Sequence, residues 1–271
     1  MPGVPRAGGT PREAMWEEAH GGRVHTLRAA GCTRDAPRAR LLPFLEGGRE
    51  MEGTMASLPS VIPVFPLPNV VLFPRIQLPL HIFEPRYRQM VRDAAGKERP
   101  LIGMALLRGN WQENYEGNPE IFPVGCVGAM VRMAPLADGR FNILLQGVRE
   151  YRIKEEIFHK PYREAVVEWR PERKESLPQD QRQELCRLLE TYLPPSEAAH
   201  KLLADPAIED ELFVNFFAFH LDLPPIEKQS LLEADTLPER AACLRDILDF
   251  KLTEARWREG GGGGPNKPRV H

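Results

Sequence analysis

Between residues 61 and 170, apolar residues occur in short runs, some alternating with polar residues, and prolines or glycines separate the runs. This pattern is typical of β-strands. About seven runs with one short helix among them favour a β-barrel-like sandwich. The predicted strands are Val61–Phe65, Val70–Phe73, Ile76–Leu80, Leu101–Leu107, Ile121–Ala134, Phe141–Ile153 and a last one containing Ala165, Val167 and Trp169.

Three local signals refine this picture. In Glu84–Ala95 the apolar residues recur at helical spacing, with Pro85 in the first turn, which predicts an amphipathic helix. The adjacent residues Asp138 and Gly139 predict a tight hairpin between the two longest strands. Within residues 124–131 both side-chain parities are small or apolar, so we expect this strand to be buried on both faces.

After residue 171 the apolar spacing becomes helical. Ser176 with Gln179, and Thr236 with Glu239, have the spacing of a helix capping box. The predicted fold class is therefore α+β, with a β-rich subdomain over residues 61–170 followed by an α-helical bundle over residues 172–257.

The two ends of the chain differ from this central part. Residues 1–56 are rich in arginine and glycine, contain no lysine and have only scattered apolar residues. They are interpreted either as a disordered interaction tail or as sequence upstream of a true start codon at Met51 or Met55. Residues 258–271 contain a run of five glycines and predict a flexible tail.

Composition excludes several classes of protein. With 36 Lys+Arg against 38 Asp+Glu the net charge is -2, which provides no overall attraction to nucleic acid or to an anionic membrane. The 42% hydrophobic content is enough for a buried core, yet no run approaches the ~20 apolar residues of a membrane helix. The four cysteines form no CxxC pair, which argues against a zinc ribbon and favours a reducing compartment, the cytoplasm.

No familiar catalytic or cofactor-binding motif is present. A Walker A loop, a GxSxG elbow and an HExxH helix are all absent, so no cofactor or metal site is predicted. His81 lies between a predicted strand and the helix that begins near Glu84. A structural hydrogen bond is the favoured interpretation of this histidine, and an unrecognised hydrolase that uses His81 and Glu84 is the least favoured alternative.

Arg149 is the most informative charged residue. In an unbroken strand it falls on the same face as Phe141 and Leu145, where a buried arginine needs a carboxylate partner such as Glu84 or Glu164. The alternative is a bulge at a neighbouring glycine, which reverses the parity and places the arginine in solvent.

The segment Arg108–Pro119 is long for a connection between strands and carries two aromatic residues among polar ones. Trp111 and Tyr115 are interpreted either as exposed anchors for a partner or as side chains that fold back over the end of the barrel.

Four stretches together resemble a known family. They are Ile62–Pro74 (IPVFPLPNVVLFP), Leu78–Met90 (LPLHIFEPRYRQM), Val124–Gly128 (VGCVG) and Gly147–Ile153 (GVREYRI). They resemble the N-terminal, substrate-binding domain of the ATP-dependent Lon protease, particularly its standalone bacterial relatives, and the resemblance covers residues 61–255. Its structural signature residues here are Pro66, Pro74, Pro79, His81, Glu84, Tyr87, Gly128, Gly139, Gly147 and Arg149.

The resemblance implies a PUA-like barrel followed by the bundle, and a non-catalytic module that binds unfolded or exposed protein segments, in cooperation with a protease or chaperone. Lon proteases continue into ATPase and Ser-Lys peptidase modules whose motifs these 271 residues lack, so no enzymatic activity is expected. Relatives often have arginine at the fourth position of the glycine-started motif, where this chain has Glu150. The candidate peptide-binding residues are Phe83, Arg86, Trp111 and Tyr115.

The alternative function is RNA or other nucleic-acid binding, since related barrels are used in that way. A local patch of arginines would be needed, because the net charge disfavours it. The candidate members are Arg86, Arg88, Arg92, Arg149 and Arg152.

Overall fold

The computed structural model of the protein describes residues 58–115, 117–172, 175–195 and 197–260. The predictions for residues 1–56 and for residues 261–271 lie outside these ranges. The last helix continues to Gly260, three residues beyond the predicted end of the bundle.

The described residues contain six strands, which are β1 (Val61–Leu67), β2 (Gln77–Ile82), β3 (Leu101–Leu106), β4 (Val124–Pro135), β5 (Phe141–Ile157) and β6 (Arg163–Trp169). Five of them form a closed barrel, and β2 lies at its side. The order β5-β4-β3-β1-β6 closes on itself because β6 also pairs with β5, and β2 pairs with the first half of β5. The barrel prediction is therefore confirmed.

The strand predicted at Val70–Phe73 is wrong. These residues are buried but join no strand ladder. They lie between Pro68 and Pro74, and neither proline can donate a backbone hydrogen bond. Arg75, directly after Pro74, has a positive φ of 67°. The apolar run is therefore buried as a loop that packs against the barrel.

Two hydrophobic clusters account for this arrangement. The smaller cluster fills the barrel and contains Ile62, Val64, Val127, Tyr151 and Ala165. The larger cluster lies between the outside of the barrel, the first helix and the helical bundle. β1, β3 and the first half of β4 contribute to both clusters, so the prediction that β4 is buried on both faces is confirmed there.

Six α-helices occur in the part of the chain that the structure describes. The first one follows β2 and places Tyr87, Met90, Val91 and Ala94 in the core, as predicted. The helices are α1 (Pro85–Ala95), α2 (Gln179–Tyr192), α3 (Glu197–Ala204), α4 (Asp210–His220), α5 (Pro225–Glu233) and α6 (Leu237–Gly260).

One of the two predicted capping boxes forms. The backbone N–H of Glu239 donates to Thr236 Oγ1 at 3.2 Å, and the backbone N–H of Thr236 donates to Glu239 Oε2 at 3.1 Å. The box at Ser176 is wrong, because α2 begins at Gln179 and has no side-chain cap. The carboxylate of Asp210, from another helix, instead accepts the N–H of Leu177 at 2.8 Å.

Thr236→Ala will destabilise the protein by about 1 kcal/mol, because it removes the side-chain acceptor for the N–H of Glu239. Urea unfolding at equilibrium measures this loss. Thr191→Ala is the matched control, since that hydroxyl donates to the carbonyl of Arg187 within α2. An equal loss in both variants would contradict a specific role for the cap.

A β-bulge in β5 decides the position of Arg149. Val127 pairs with Arg149 but Gly128 pairs with Gly147, so Val148 is the additional residue. The bulge reverses the side-chain parity, as in the second of the two interpretations. Arg149 is partly exposed, with 23% of its side chain accessible, and lies 3.2 Å from Glu172. Neither Glu84 nor Glu164 is its partner, so of the two interpretations the bulge is confirmed and the buried Arg149 is wrong.

The same bulge turns Glu150 towards the helical bundle, where this residue joins the barrel to the bundle. Its carboxylate accepts hydrogen bonds from Arg240 of α6 and, at 3.2 Å, from Arg170 after β6. Arg240 is completely buried and also donates to Asn215 Oδ1 at 2.5 Å. We call Glu150, Arg170, Asn215 and Arg240 the junction cluster.

Both arginines of the junction cluster also bind the end of α5. Arg240 Nε donates to the carbonyl of Leu231 at 2.8 Å, and Arg170 donates to the carbonyls of Leu232 and Ala234 at 3.0 Å. Cations are favourable at a helix C-terminus, where carbonyls have no partner within the helix. The cluster therefore connects β5, β6, α4, α5 and α6 at one point.

Candidate functional site

The candidate site is built where α1 begins. Glu84 is the N-cap residue of α1, and its carboxylate accepts a hydrogen bond from the hydroxyl of Tyr115 at 2.7 Å and from Arg86 Nε at 3.0 Å. The guanidinium of Arg86 also lies over the rings of Tyr87 and Tyr115, at 4.7 Å and 5.1 Å from their centroids. Two of the four predicted contact residues, Arg86 and Tyr115, thus belong to one network.

Burial shapes the protonation of this network. Burial and the bond to Glu84 raise the pKa of Tyr115 well above its ordinary value, so its hydroxyl remains a donor. Burial opposes the charge of Arg86, but the neighbouring Tyr87 and Glu84 outweigh it and raise the pKa of this arginine. The network therefore holds a fixed donor and a permanent cation at neutral pH.

The aromatic residues of the 108–119 loop fold back onto the barrel. A short 3₁₀ helix, Trp111–Asn114, carries Trp111, and its ring meets that of Tyr115 edge to face with centroids 6.0 Å apart. Both side chains pack against the cluster inside the barrel and are partly exposed. The structure therefore shows the fold-back arrangement, with part of each ring still accessible to a ligand.

His81, in β2, and Phe83, directly after that strand, lie just before α1. Their rings are stacked with centroids 6.4 Å apart, and Phe83 is partly exposed. His81 Nδ1 lies 2.7 Å from Asn142 Oδ1 and Nε2 lies 3.2 Å from a nitrogen of Arg140. His81 is thus bound by Asn142 and Arg140, and Glu84 by Tyr115 and Arg86. These contacts support a structural hydrogen-bonding role for His81.

The structure places the other signature residues at positions of close contact. Pro66 lies in β1 and Pro79 in β2, Tyr87 packs on Phe65 with ring centroids 4.3 Å apart, and the carbonyl of Pro74 accepts a hydrogen bond from Asn215 at 3.2 Å. Gly139 has a φ of 80° and Gly128 packs against the side chain of Leu145. The positive φ confirms the predicted hairpin turn, which favours glycine.

A cavity of about 180 Å³ opens beside the network. Arg86 and Tyr115 line one side of it, and Tyr162 and Arg163, from the start of β6, line another. A more open groove of about 380 Å³ shares Arg86 and Pro161 with the cavity and continues along α1. The remaining residues lining the cavity are Pro66, Tyr87, Leu107, Gly117, Asn118, Pro119 and Pro161, and those lining the groove are Pro85, Arg88, Gln89 and Arg92.

Sequence reasoning did not identify Tyr162 and Arg163. Tyr162 donates to Asp93 at 2.6 Å, and burial together with this bond raises the pKa of the tyrosine to about 12. Arg163 is 5% exposed and donates to the carbonyl of Pro119 at 2.7 Å. Its position at the start of an apolar strand was the available signal, since a buried arginine requires partners.

No group of three or more His, Cys, Asp or Glu side chains is placed to hold a metal ion among the residues that the structure describes. None of the described helices is long and apolar enough to cross a membrane. Cys126, Cys186 and Cys243 are free thiols.

Comparison with known proteins agrees with this architecture. A family model for the ATP-dependent protease La (LON) substrate-binding domain matches residues 61–249, which include the whole barrel and most of the bundle. The chain belongs to the Lon substrate-binding domain family. The resemblance found from the sequence motifs is therefore confirmed.

Curated relatives and solved structures give the extent of the similarity. Lon protease of Cytophaga hutchinsonii is 29% identical over 79% of this chain and 27% of its own length. Lon protease 2 of Syntrophobacter fumaroxidans is 31% identical over 76% of this chain and 25% of its own length. The chain thus spans about a quarter of the length of these relatives. A Lon N-terminal domain protein from Xanthomonas campestris (24% identity, TM-score 0.52) covers 71% of this chain, and 99% of that structure is matched. The N-terminal domain of Lon protease from the Mycobacterium avium complex is 16% identical, with a TM-score of 0.54. This match covers 70% of this chain and 98% of that structure.

Proposed function

We propose that this member of the Lon substrate-binding domain family binds exposed peptide segments of other proteins and does not itself catalyse a reaction. The observation that supports the proposal most is the cavity beside Arg86 and Tyr115, which continues into the groove along α1. Ligand sites combine apolar walls with a few fixed polar groups, and here prolines and tyrosines supply the walls. The ligand would lie on the turn before α1 and on the 108–119 loop.

The four predicted contact residues have distinct roles in this proposal. Arg86 and Tyr115 supply donors and ring faces at the cavity. Phe83 and Trp111 line neither the cavity nor the groove, and they would add partly exposed aromatic surface beside Glu84 and Tyr115. Aromatic residues and arginine are the side chains that most often carry the binding energy of an interface. Delivery of the bound segment to a protease or chaperone, in the reducing environment of the cytoplasm, is part of the proposal and is consistent with the free thiols.

RNA binding remains the second candidate because Arg86, Arg88 and Arg92 line one groove. Arg149 and Arg152 do not line it, and Arg149 is paired with Glu172. The groove therefore contains three of the five arginines of the predicted patch. A peptide is favoured, because prolines and tyrosines line the adjoining cavity together with the arginines.

Trp111→Ala and Tyr115→Ala will each weaken binding of an unfolded protein about tenfold, because each removes an aromatic contact of the proposed surface. Fluorescence anisotropy with labelled, reduced and alkylated lysozyme measures this affinity. Circular dichroism of each variant checks that the barrel is folded.

Trp257→Ala is the matched control, since this tryptophan is 78% exposed near the end of α6 and lies outside the proposed surface. Met133→Ala tests the alternative that the ligand adds to the outer end of β4, where the methionine is 40% exposed. Failure of the wild-type protein to bind the unfolded chain would overturn the proposal. Binding of a labelled RNA oligonucleotide with a steep salt dependence would favour the second candidate instead.

A further inference from the structure

Arg163 is a buried cation whose hydrogen bonds are incomplete. Its Nε lies 3.2 Å from Glu156 Oε2, and its Nη2 donates to the carbonyl of Pro119 at 2.7 Å. Its Nη1 is buried and has no hydrogen-bond partner among the residues that the structure describes. A buried donor without an acceptor is unfavourable. Arg163 lines the cavity, so a small rotation of its guanidinium would bring this donor to a ligand there.

Arg86 lines the same cavity and has donor capacity left. Its Nε is occupied by Glu84 at 3.0 Å, whereas Nη1 and Nη2 lie 3.4 Å from the carbonyl of Tyr115, near the limit of a hydrogen bond. A guanidinium has five N–H donors in a planar fork that fits a carboxylate. The cavity thus has guanidinium donors from two arginines.

The charges around the cavity favour a ligand with one negative charge. Glu84 accompanies Arg86 and Glu156 accompanies Arg163, so each cation is already partly neutralised. Burial lowers the pKa of Arg163 even beside Glu156, which indicates that its charge is not fully compensated. A single negative charge can be bound by the remaining N–H donors of both arginines, whereas the second charge of a dianionic phosphate would meet repulsion from the two glutamates.

We propose that the cavity binds a carboxylate of the peptide ligand, either the C-terminal carboxylate of a chain or the side chain of Asp or Glu. This deepens the proposed function and rests on it. A cavity of about 150 Å³ holds a molecule of six carbon atoms, so about 180 Å³ accommodates a carboxyl group and the carbon atoms attached to it.

The adjoining groove gives the direction of the rest of the ligand. It leaves the cavity at Arg86 and Pro161 and passes Arg88 and Arg92 on α1. Arg88 Nε is also buried without a hydrogen-bond partner in the described part of the chain. The remainder of the peptide therefore lies along α1, beside further arginine donors.

Four fluorescein-labelled hexapeptides of one sequence, compared by anisotropy, test the proposal. One ends in a free carboxylate, one in an amide, one is amidated with a single internal glutamate, and the last has glutamine at that position. We expect the free acid to bind about tenfold more tightly than its amide if a chain terminus is recognised. We expect the same ratio between the glutamate and glutamine peptides if a side chain is recognised.

Arg163→Gln and Arg86→Gln should remove this preference, whereas Arg258→Gln, on a residue whose side chain is 76% exposed in α6, should keep it. Arg163→Lys is the second variant in case Arg163→Gln does not fold. Lysine keeps the positive charge but lacks the planar fork of N–H donors, so this variant should stay folded and show a reduced preference for the carboxylate peptides. Equal binding of all four peptides, or a preference that survives Arg163→Gln, overturns the carboxylate pocket. In that case the proposed function stands as long as the unfolded protein still binds.

Discussion

Glu150→Gln will destabilise the protein by about 3–5 kcal/mol, because it leaves the buried Arg170 and Arg240 without the carboxylate that they share. Glu150 is 4% exposed and Arg240 is 0% exposed, so water cannot replace the lost charge. The amide of glutamine also directs donors towards two arginines that have only donors to offer. The loss will affect the contact between the barrel and the bundle first.

Equilibrium unfolding in urea measures this effect. Glu172→Gln is the matched control, since its carboxylate is 54% exposed and bonds Arg149 near the surface, and an exposed ion pair contributes about 1 kcal/mol or less. A change below about 1 kcal/mol for Glu150→Gln would show that the junction cluster does not hold a buried charge. Near-ultraviolet circular dichroism will show whether the bundle loosens before the barrel.

Gly147→Ala is expected to destabilise the protein by about 3 kcal/mol. A Cβ at this position would lie 2.1 Å from the carbonyl oxygen of Phe73, 2.9 Å from its carbonyl carbon and 3.2 Å from Pro74 Cα, all of which are main-chain atoms. The N–H of Gly147 donates to the carbonyl of Ile76 at 2.9 Å, and its own carbonyl accepts the N–H of Arg75 at 2.8 Å. Moving the two segments apart to admit a methyl group would therefore break backbone hydrogen bonds.

Gly96→Ala is the control for Gly147→Ala. Gly96 has a φ of -76°, and its Cβ would meet backbone oxygens only at 3.8 Å, so alanine should fit there and even stabilise slightly. Both variants are compared by urea unfolding. If Gly147→Ala proved as stable as the wild type, the close approach of β5 to the Phe73 segment would be wrong.

The features that could be predicted from sequence depend on contacts between near neighbours. Three such features formed as predicted, and each involves residues that are close together in the sequence. They are the helix Pro85–Ala95, the turn at Asp138 and Gly139, and the cap at Thr236. Ser176 failed as a cap because α2 begins only at Gln179, and the N–H of Leu177 is bound by Asp210, 33 residues further along the chain. The Val70–Phe73 run failed as a strand because its burial comes from packing and not from a ladder.

The candidate site was accessible to sequence reasoning only in part. Arg86 and Tyr115 were identified by residue type, one in a helix entry and the other in a polar loop. Arg163 lies near Arg86 because β6 pairs with β1, and no local pattern reveals that pairing. Glu150 was also missed, because the bulge at Val148 decides whether Glu150 or Arg149 faces the helical bundle.

The closure of β1 against β6 has a kinetic consequence. Val61 pairs with Val166, roughly 100 residues later, and β1 also pairs in parallel with β3. Contacts this distant form slowly, because the chain between them must first lose its freedom. During synthesis β1 leaves the ribosome well before β6 has been made, so one edge of this apolar strand stays unpaired until then. The step that limits folding should therefore be the docking of β6, and variants that weaken this pairing should slow refolding more than they hasten unfolding.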